Sequence, residues 1–148
     1  MPFLYIIQNQ FVMKKILIIG GVLAVVAAAV GYFLYNKPHQ DMRSAKAAHT
    51  LTAQELFEAY ESDESAADQV YLGKVVRVNG TVLESKKDED GKTSITLEGG
   101  GAMFGVMCKL DDFSQPKRTD FAPGEQVTFQ CECTGMLMDV VLVRCVEL

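Results

Sequence analysis

Four cysteines, Cys108, Cys131, Cys133 and Cys145, are the side chains in this chain best suited to covalent or metal chemistry. In an oxidising compartment such thiols form disulfides, and four of them allow three complete pairings. Zinc knuckles and thiol oxidoreductases space their cysteines as C-x-x-C. Here the close pair is Cys131-x-Cys133, with single cysteines at 108 and 145, so a metal centre and a redox motif are both disfavoured. Val127, Phe129, Cys131 and Cys133 alternate along one face of a strand. A short apolar turn follows, and the β-rich run to Leu148 brings Cys145 back near the start of that strand. The spacing predicts a terminal hairpin with a disulfide staple. The pairing stays open, because bridged Cα atoms must lie within about 7 Å and register is not legible in spacing.

Other chemistry is sparse. His39 and His49 lie ten residues apart in a polar stretch with no cysteine or paired carboxylate beside them, and read as solvated. No G-x-S-x-G elbow and no glycine-rich phosphate loop ahead of a helix is present. Gly99-Gly100-Gly101 reads as a tight, close-packed turn between strands. The polar loop Lys86-Lys87-Asp88-Glu89-Asp90-Gly91-Lys92 lacks the ligand number and distant glutamate of a calcium loop and reads as a solvated turn at Asp90-Gly91. The expectation is a protein without catalysis, metal or cofactor.

The elements that would position these residues begin with a membrane segment. Ile16 to Tyr35 is an uncharged run of twenty residues, about 30 Å as a helix, the thickness of a bilayer core. Lys14 and Lys15 precede it and Lys37 follows, so charge favours a cytoplasmic N-terminus and an exported C-terminal domain, single-pass in the inner membrane and facing the periplasm. Ala27-Ala28-Ala29 offers a cleavage site, but the apolar run continues through Tyr35, which favours an uncleaved signal anchor. Met13-Lys14-Lys15 resembles a charged signal start, marking Met13 as the expected true start and residues 1–15 as a separate N-terminal segment. Gly20, Ala24 and Ala28 follow the small-xxx-small spacing of self-associating membrane helices, but Gly and Ala are common in single anchors and that plainer reading is preferred. Residues 36–148 hold all 19 acidic residues and 12 of the 14 basic ones, a net charge of −7. That disfavours nucleic acid as a partner.

Residues 36–51 are polar and small and read as a linker. Thr52-x-x-Glu55 is a capping box with Leu51 and Leu56 as its staple, and Ala53, Leu56, Phe57 and Tyr60 form one helical face. A second short helix is expected over about 65–71. From Gly73 the period becomes two. Val76, Val78, Gly80 and Val82, then Ile95 and Leu97, then Ala102, Phe104, Val106, Cys108 and Leu110 are the predicted inward positions of three strands. Asn79-Gly80 carries a hairpin signal, but both arms would be short, so one strand bent at Gly80 is preferred. A polar connector over 111–122, with room for a helical turn, leads to Pro123-Gly124 and the terminal hairpin. Three strands, a connector and two strands is the order of a five-stranded OB-fold barrel, predicted over residues 52–148 behind short helices and one transmembrane helix.

The run Asp63-Glu64-x-Ala66-Ala67-x-x-x-Tyr71-x-Gly73-Lys74-Val75-x-x-Val78-x-Gly80-x-Val82, with Cys133-Thr134-Gly135-x-x-x-Asp139-Val140-Val141-Leu142-x-x-Cys145, resembles the tRNA_anti-like family of OB-fold proteins, common in Bacteroidetes. The resemblance implies an OB-type domain behind an N-terminal anchor or signal. It marks Cys133 and Cys145, both on the last hairpin, as the disulfide, leaving Cys108 and Cys131 on inward faces either free or paired. Cys131 departs from the family pattern. The family name reflects likeness to anticodon-binding domains and does not itself establish tRNA binding.

An OB barrel binds across its second and third strands and the adjoining hairpin loops. Here those positions give Lys86, Lys87, Met103, Met107, Lys109, Met136, Leu137 and Met138 as the candidate surface for an envelope protein or small ligand. Outward aromatic rings are nearly absent, which again counts against single-stranded nucleic acid. Met136-Leu137-Met138 either tucks over a barrel end or offers a soft contact to a protein or the bilayer.

Overall fold

The computed structural model describes residues 2–36, 41–101 and 103–148, with side chains from residue 13 onward. Ala102 and residues 37–40, which include His39 and part of the expected linker, lie outside the described residues. The chain divides into two units, Met1–His39 and Gln40–Leu148.

The first unit is one helix, α1 (Pro2–Tyr35). Its stretch Met13–Tyr35 is 23 residues long and apolar enough to cross a membrane, about 34 Å at ~1.5 Å per residue. Its large apolar side chains are exposed all round, Ile16, Leu23 and Phe33 among them.

The second unit opens with β1 (His49–Thr52), α2 (Ala53–Ser62) and α3 (Glu64–Tyr71). The capping box forms as the sequence predicts. Thr52 Oγ1 accepts from the Glu55 amide at 3.1 Å, and the Glu55 carboxylate accepts from the Thr52 amide at 2.7 Å. Ala53, Leu56, Phe57 and Tyr60 are all buried on one face of α2. Asp63 ends α2 in extended backbone and caps α3 by accepting from the Ala66 amide at 3.0 Å. Two short helices therefore replace one long one, each with a side chain capping its N-terminus.

The barrel is built from β2 (Val75–Lys87), β3 (Thr93–Glu98), β4 (Gly105–Leu110), β5 (Gln126–Met136) and β6 (Val140–Glu147). Neighbours run β2-β3-β4-β6-β5, and β5 returns to β2, closing five strands; β1 adds to β2 as a parallel sixth. β4 and β6 pair in parallel and the other barrel pairs are antiparallel. This is the predicted OB-type barrel. β2 can serve both ends of the closed sheet because its first half pairs β5 and its second half pairs β3. It runs through Asn79-Gly80 without a hairpin. A Cβ at Gly80 would lie 2.9 Å from Ala53 Cβ, so glycine lets α2 approach the strand. The core joins Leu56, Phe57 and Tyr60 to Val76, Val78, Val82, Ile95, Leu97, Val106, Phe129, Val140 and Leu142, each such side chain contributing about 1.5–3 kcal/mol by leaving water.

Three expectations need correction. Phe104 does not point inward: β4 begins one residue later, at Gly105, and Phe104 is 40% exposed in the preceding loop. His49 to Leu51 are not linker but belong to β1, where His49 packs its ring on Tyr71 at 5.1 Å. Residues 41–46 form a strap on the barrel, with Met42 and Ala45 buried against Val146. Gln130, itself fully buried, donates from Nε2 to the Met42 carbonyl and to the Ala45 carbonyl at 2.6 Å, while its Oε1 accepts from Arg77 at 3.0 Å.

The third correction concerns the cysteines. Cys145 is bonded to Cys131, not to Cys133. Cys133 pairs with Leu142 in register, and an irregularity between Gln130 and Glu132 brings Cys131 opposite Cys145. Arg144, at φ 56°, absorbs the extra residue of β6 and turns Cys145 inward.

Candidate binding surface

The candidate residues divide between a sheet face and a barrel end. On the face, Lys86 lies beside Ser94, and Ser94 beside Lys109; one row along, Glu84 lies beside Thr96, Thr96 beside Met107, and Met107 beside Val141. Strand alternation turns these side chains outward, because Ile95, Leu97, Val106 and Cys108 take the inner positions. Lys86 pairs with Glu84 at 2.7 Å, which neutralises part of the little positive charge there. Lys87 lies apart from this row and reaches Asp120 at 3.5 Å. Among the described residues of β3 and β4, no aromatic side chain faces out.

Met103, Leu137 and Met138 sit at the end of the barrel. The loop before β4 and the loop before β6 adjoin because those strands are parallel neighbours, with Val106 opposite Val140. Asp139 ties them together by accepting from the Gly105 amide at 2.7 Å. Met103 is 77% exposed, Leu137 90% and Met138 68%, and the outward Phe104 joins them. Met136 is only half-buried and packs on the core. Glycine at position 99 lets the loop before β4 pass close to Phe57, since a Cβ there would lie 2.7 Å from its ring.

Two features were not read from the sequence. One is a groove of about 260 Å³ lined by Thr52, Gln54, Asn79, Thr81, Glu98 and Gln126, polar and with one carboxylate. The other is a buried contact in which the Tyr60 hydroxyl lies 3.1 Å from Asp68 Oδ1 and 3.3 Å from Cys133 Sγ. Burial, followed by the Cys133 and Asp68 contacts, pushes the Tyr60 phenol well above its ordinary value. Capping and alternation locate the elements, but these meetings depend on tertiary packing that short-range spacing does not encode.

Barrel topology and strand order define an OB-fold domain, and the comparisons agree. The tRNA_anti-like family model matches residues 6–147, and the chain belongs to that family. No curated protein matches it. Among solved structures, one from Klebsiella pneumoniae subsp. pneumoniae, described as a proposed nucleic acid-binding lipoprotein, aligns with a TM-score of 0.54 at 15% identity, covering 76% of this chain and 99% of its own. At that identity the likeness shows the shared fold.

Proposed function

We propose that this protein is a membrane-tethered, periplasm-facing OB-fold module that binds an envelope protein through its apolar barrel end and performs no catalysis. The observation that carries this reading is the set of four exposed apolar side chains on two adjoining loops, Met103, Phe104, Leu137 and Met138. Contiguous apolar surface of this kind marks interaction sites, and methionine adapts to varied partner shapes. The end also lies away from where the chain enters the domain. Arg43 in the strap donates to the Ser114 carbonyl at 3.2 Å, and Ser114 follows the far end of β4. Periplasmic placement is supported by the Lys14 and Lys15 charge bias and by a disulfide, which an oxidising compartment sustains.

The second reading is a nucleic-acid-binding OB module. It draws on the family's name and on the description of the Klebsiella protein. Against it stand the net charge of −7 over residues 36–148 and the lack of outward rings on β3 and β4. A photo-crosslinking residue at Leu137 in the full chain, activated in cells, separates the two. The expected product is a discrete protein adduct that survives nuclease and is missing when the residue stands at Asp90. A nuclease-sensitive adduct supports the second reading, and no adduct at Leu137 removes the first.

A further inference from the structure

The sulfurs of Cys108, Cys131 and Cys145 all lie within 4.8 Å of one another, and each residue is at most 1% exposed. They come from three different strands. Cys131 is on β5, Cys145 on β6 and Cys108 on β4, where Cys108 pairs with Leu142 and Leu110 with Cys145. The fourth cysteine, Cys133, is buried as well but faces α2, against the Tyr60 hydroxyl. The core therefore holds one disulfide with a third sulfur beside both of its atoms.

We propose that Cys108, Cys131 and Cys145 form a thiol–disulfide exchange site in which one disulfide is held in alternative pairings, with Cys133 excluded. In the exchange the Cys108 thiolate attacks Cys145 Sγ. The Cys131–Cys145 bond breaks, the Cys108–Cys145 bond forms, and Cys131 leaves as a thiolate that takes up the proton Cys108 gave up. Attack on Cys131 Sγ gives Cys108–Cys131 in the same way. No oxidant or reductant is consumed, because the number of disulfides is unchanged. The pairing decides which strands are stapled: β5 to β6 as observed, β4 to β6, or β4 to β5. The barrel thus stays cross-linked while the position of the staple changes. Burial pushes the Cys108 thiol above its usual 9.0, so the exchange is slow near neutrality and accelerates with alkali.

The test uses the full chain in detergent. The wild type is held without added thiol at pH 7 or pH 9, sampled over hours, quenched and alkylated in acid, and mapped by mass spectrometry. The expected result is an increasing share of chains with Cys131 or Cys145 alkylated, at least severalfold faster at pH 9, and Cys133 alkylated in every chain. In parallel, Cys131→Ser and Cys145→Ser are equilibrated with oxidised glutathione, and are expected to form Cys108–Cys145 and Cys108–Cys131. Alkylation confined to Cys108 and Cys133 in the wild type at all times overturns the proposal, whether or not the variants fold. So does pairing of Cys133 in either variant.

Discussion

Cys131 and Cys145 face each other across the β5–β6 hairpin at a Cα–Cα distance of 4.2 Å, while Cys133, two residues further along β5, hydrogen-bonds Tyr60. Closing a loop over a sequence separation of 14 stabilises the fold by about 3 kcal/mol. Reduction is therefore expected to lower the unfolding free energy by about that amount, measured by urea titration with and without reductant. Cys133→Ala should keep this sensitivity to reductant. Its loss in that variant would place the staple elsewhere.

Gly80 on β2 packs directly against Ala53 on α2. Gly80→Ala puts two methyl groups 2.9 Å apart and is expected to cost about 1–3 kcal/mol. The double variant Ala53→Gly, Gly80→Ala removes the clash and should recover a good part of that loss. A double-mutant cycle in urea reads the coupling, and strict additivity would contradict the contact.

Gln130 holds the strap. Gln130→Leu leaves the Met42 and Ala45 carbonyls without their donor in a buried site, at a cost of about 1–3 kcal/mol. The variant should become sensitive to trypsin at Arg43 and Lys46 while the barrel survives digestion. Unchanged resistance at both sites would show that the strap is held by other contacts.

Stability should decline in alkali. The thiol of Cys108 and the phenol of Tyr60 are both raised above their ordinary values of 9.0 and 10.0, chiefly by burial. The folded state holds those protons longer than the unfolded chain does. Their contribution is complete below pH 9 and is lost as pH rises past 9 and then 10. Urea midpoints measured from pH 7 to 11 should fall, and Cys108→Ala should flatten the part that begins at pH 9. Glu125 acts at the other extreme. Arg118, and then the Ala122 amide, hold its carboxyl below the usual 4.5, so its contribution is present above that value and lost as pH falls below it.

Much of the fold was legible because its signals are local. The Thr52 capping box, the Leu56-Phe57-Tyr60 stripe and the alternation of Val76, Val78, Ile95 and Leu97 each lie within one element. The disulfide was misread because one residue of bulge at Arg144 reverses which side of β6 faces inward, and strict alternation carries no mark of it. Phe104 was misplaced for a related reason, since its strand starts at Gly105, three residues after the Ala102 at which the alternation began. The strand β1 escaped notice as four half-polar residues that pair only with a neighbour 27 positions away, His49 with Val76. The apolar end was half visible. Leu137 and Met138 stood out as a turn, but their meeting with the loop of Met103 and Phe104 depends on the parallel pairing of β4 with β6.

The central claim is a tethered domain outside the cytoplasm, and side-specific labelling tests it most directly. A cysteine placed at Asp90 lies on the exposed β2–β3 loop, whereas the native free thiols Cys108 and Cys133 are buried. A membrane-impermeant maleimide is added to spheroplasts expressing the full-length Asp90→Cys variant. Labelling before lysis is the predicted result. Labelling only after lysis would put the domain in the cytoplasm and contradict the account.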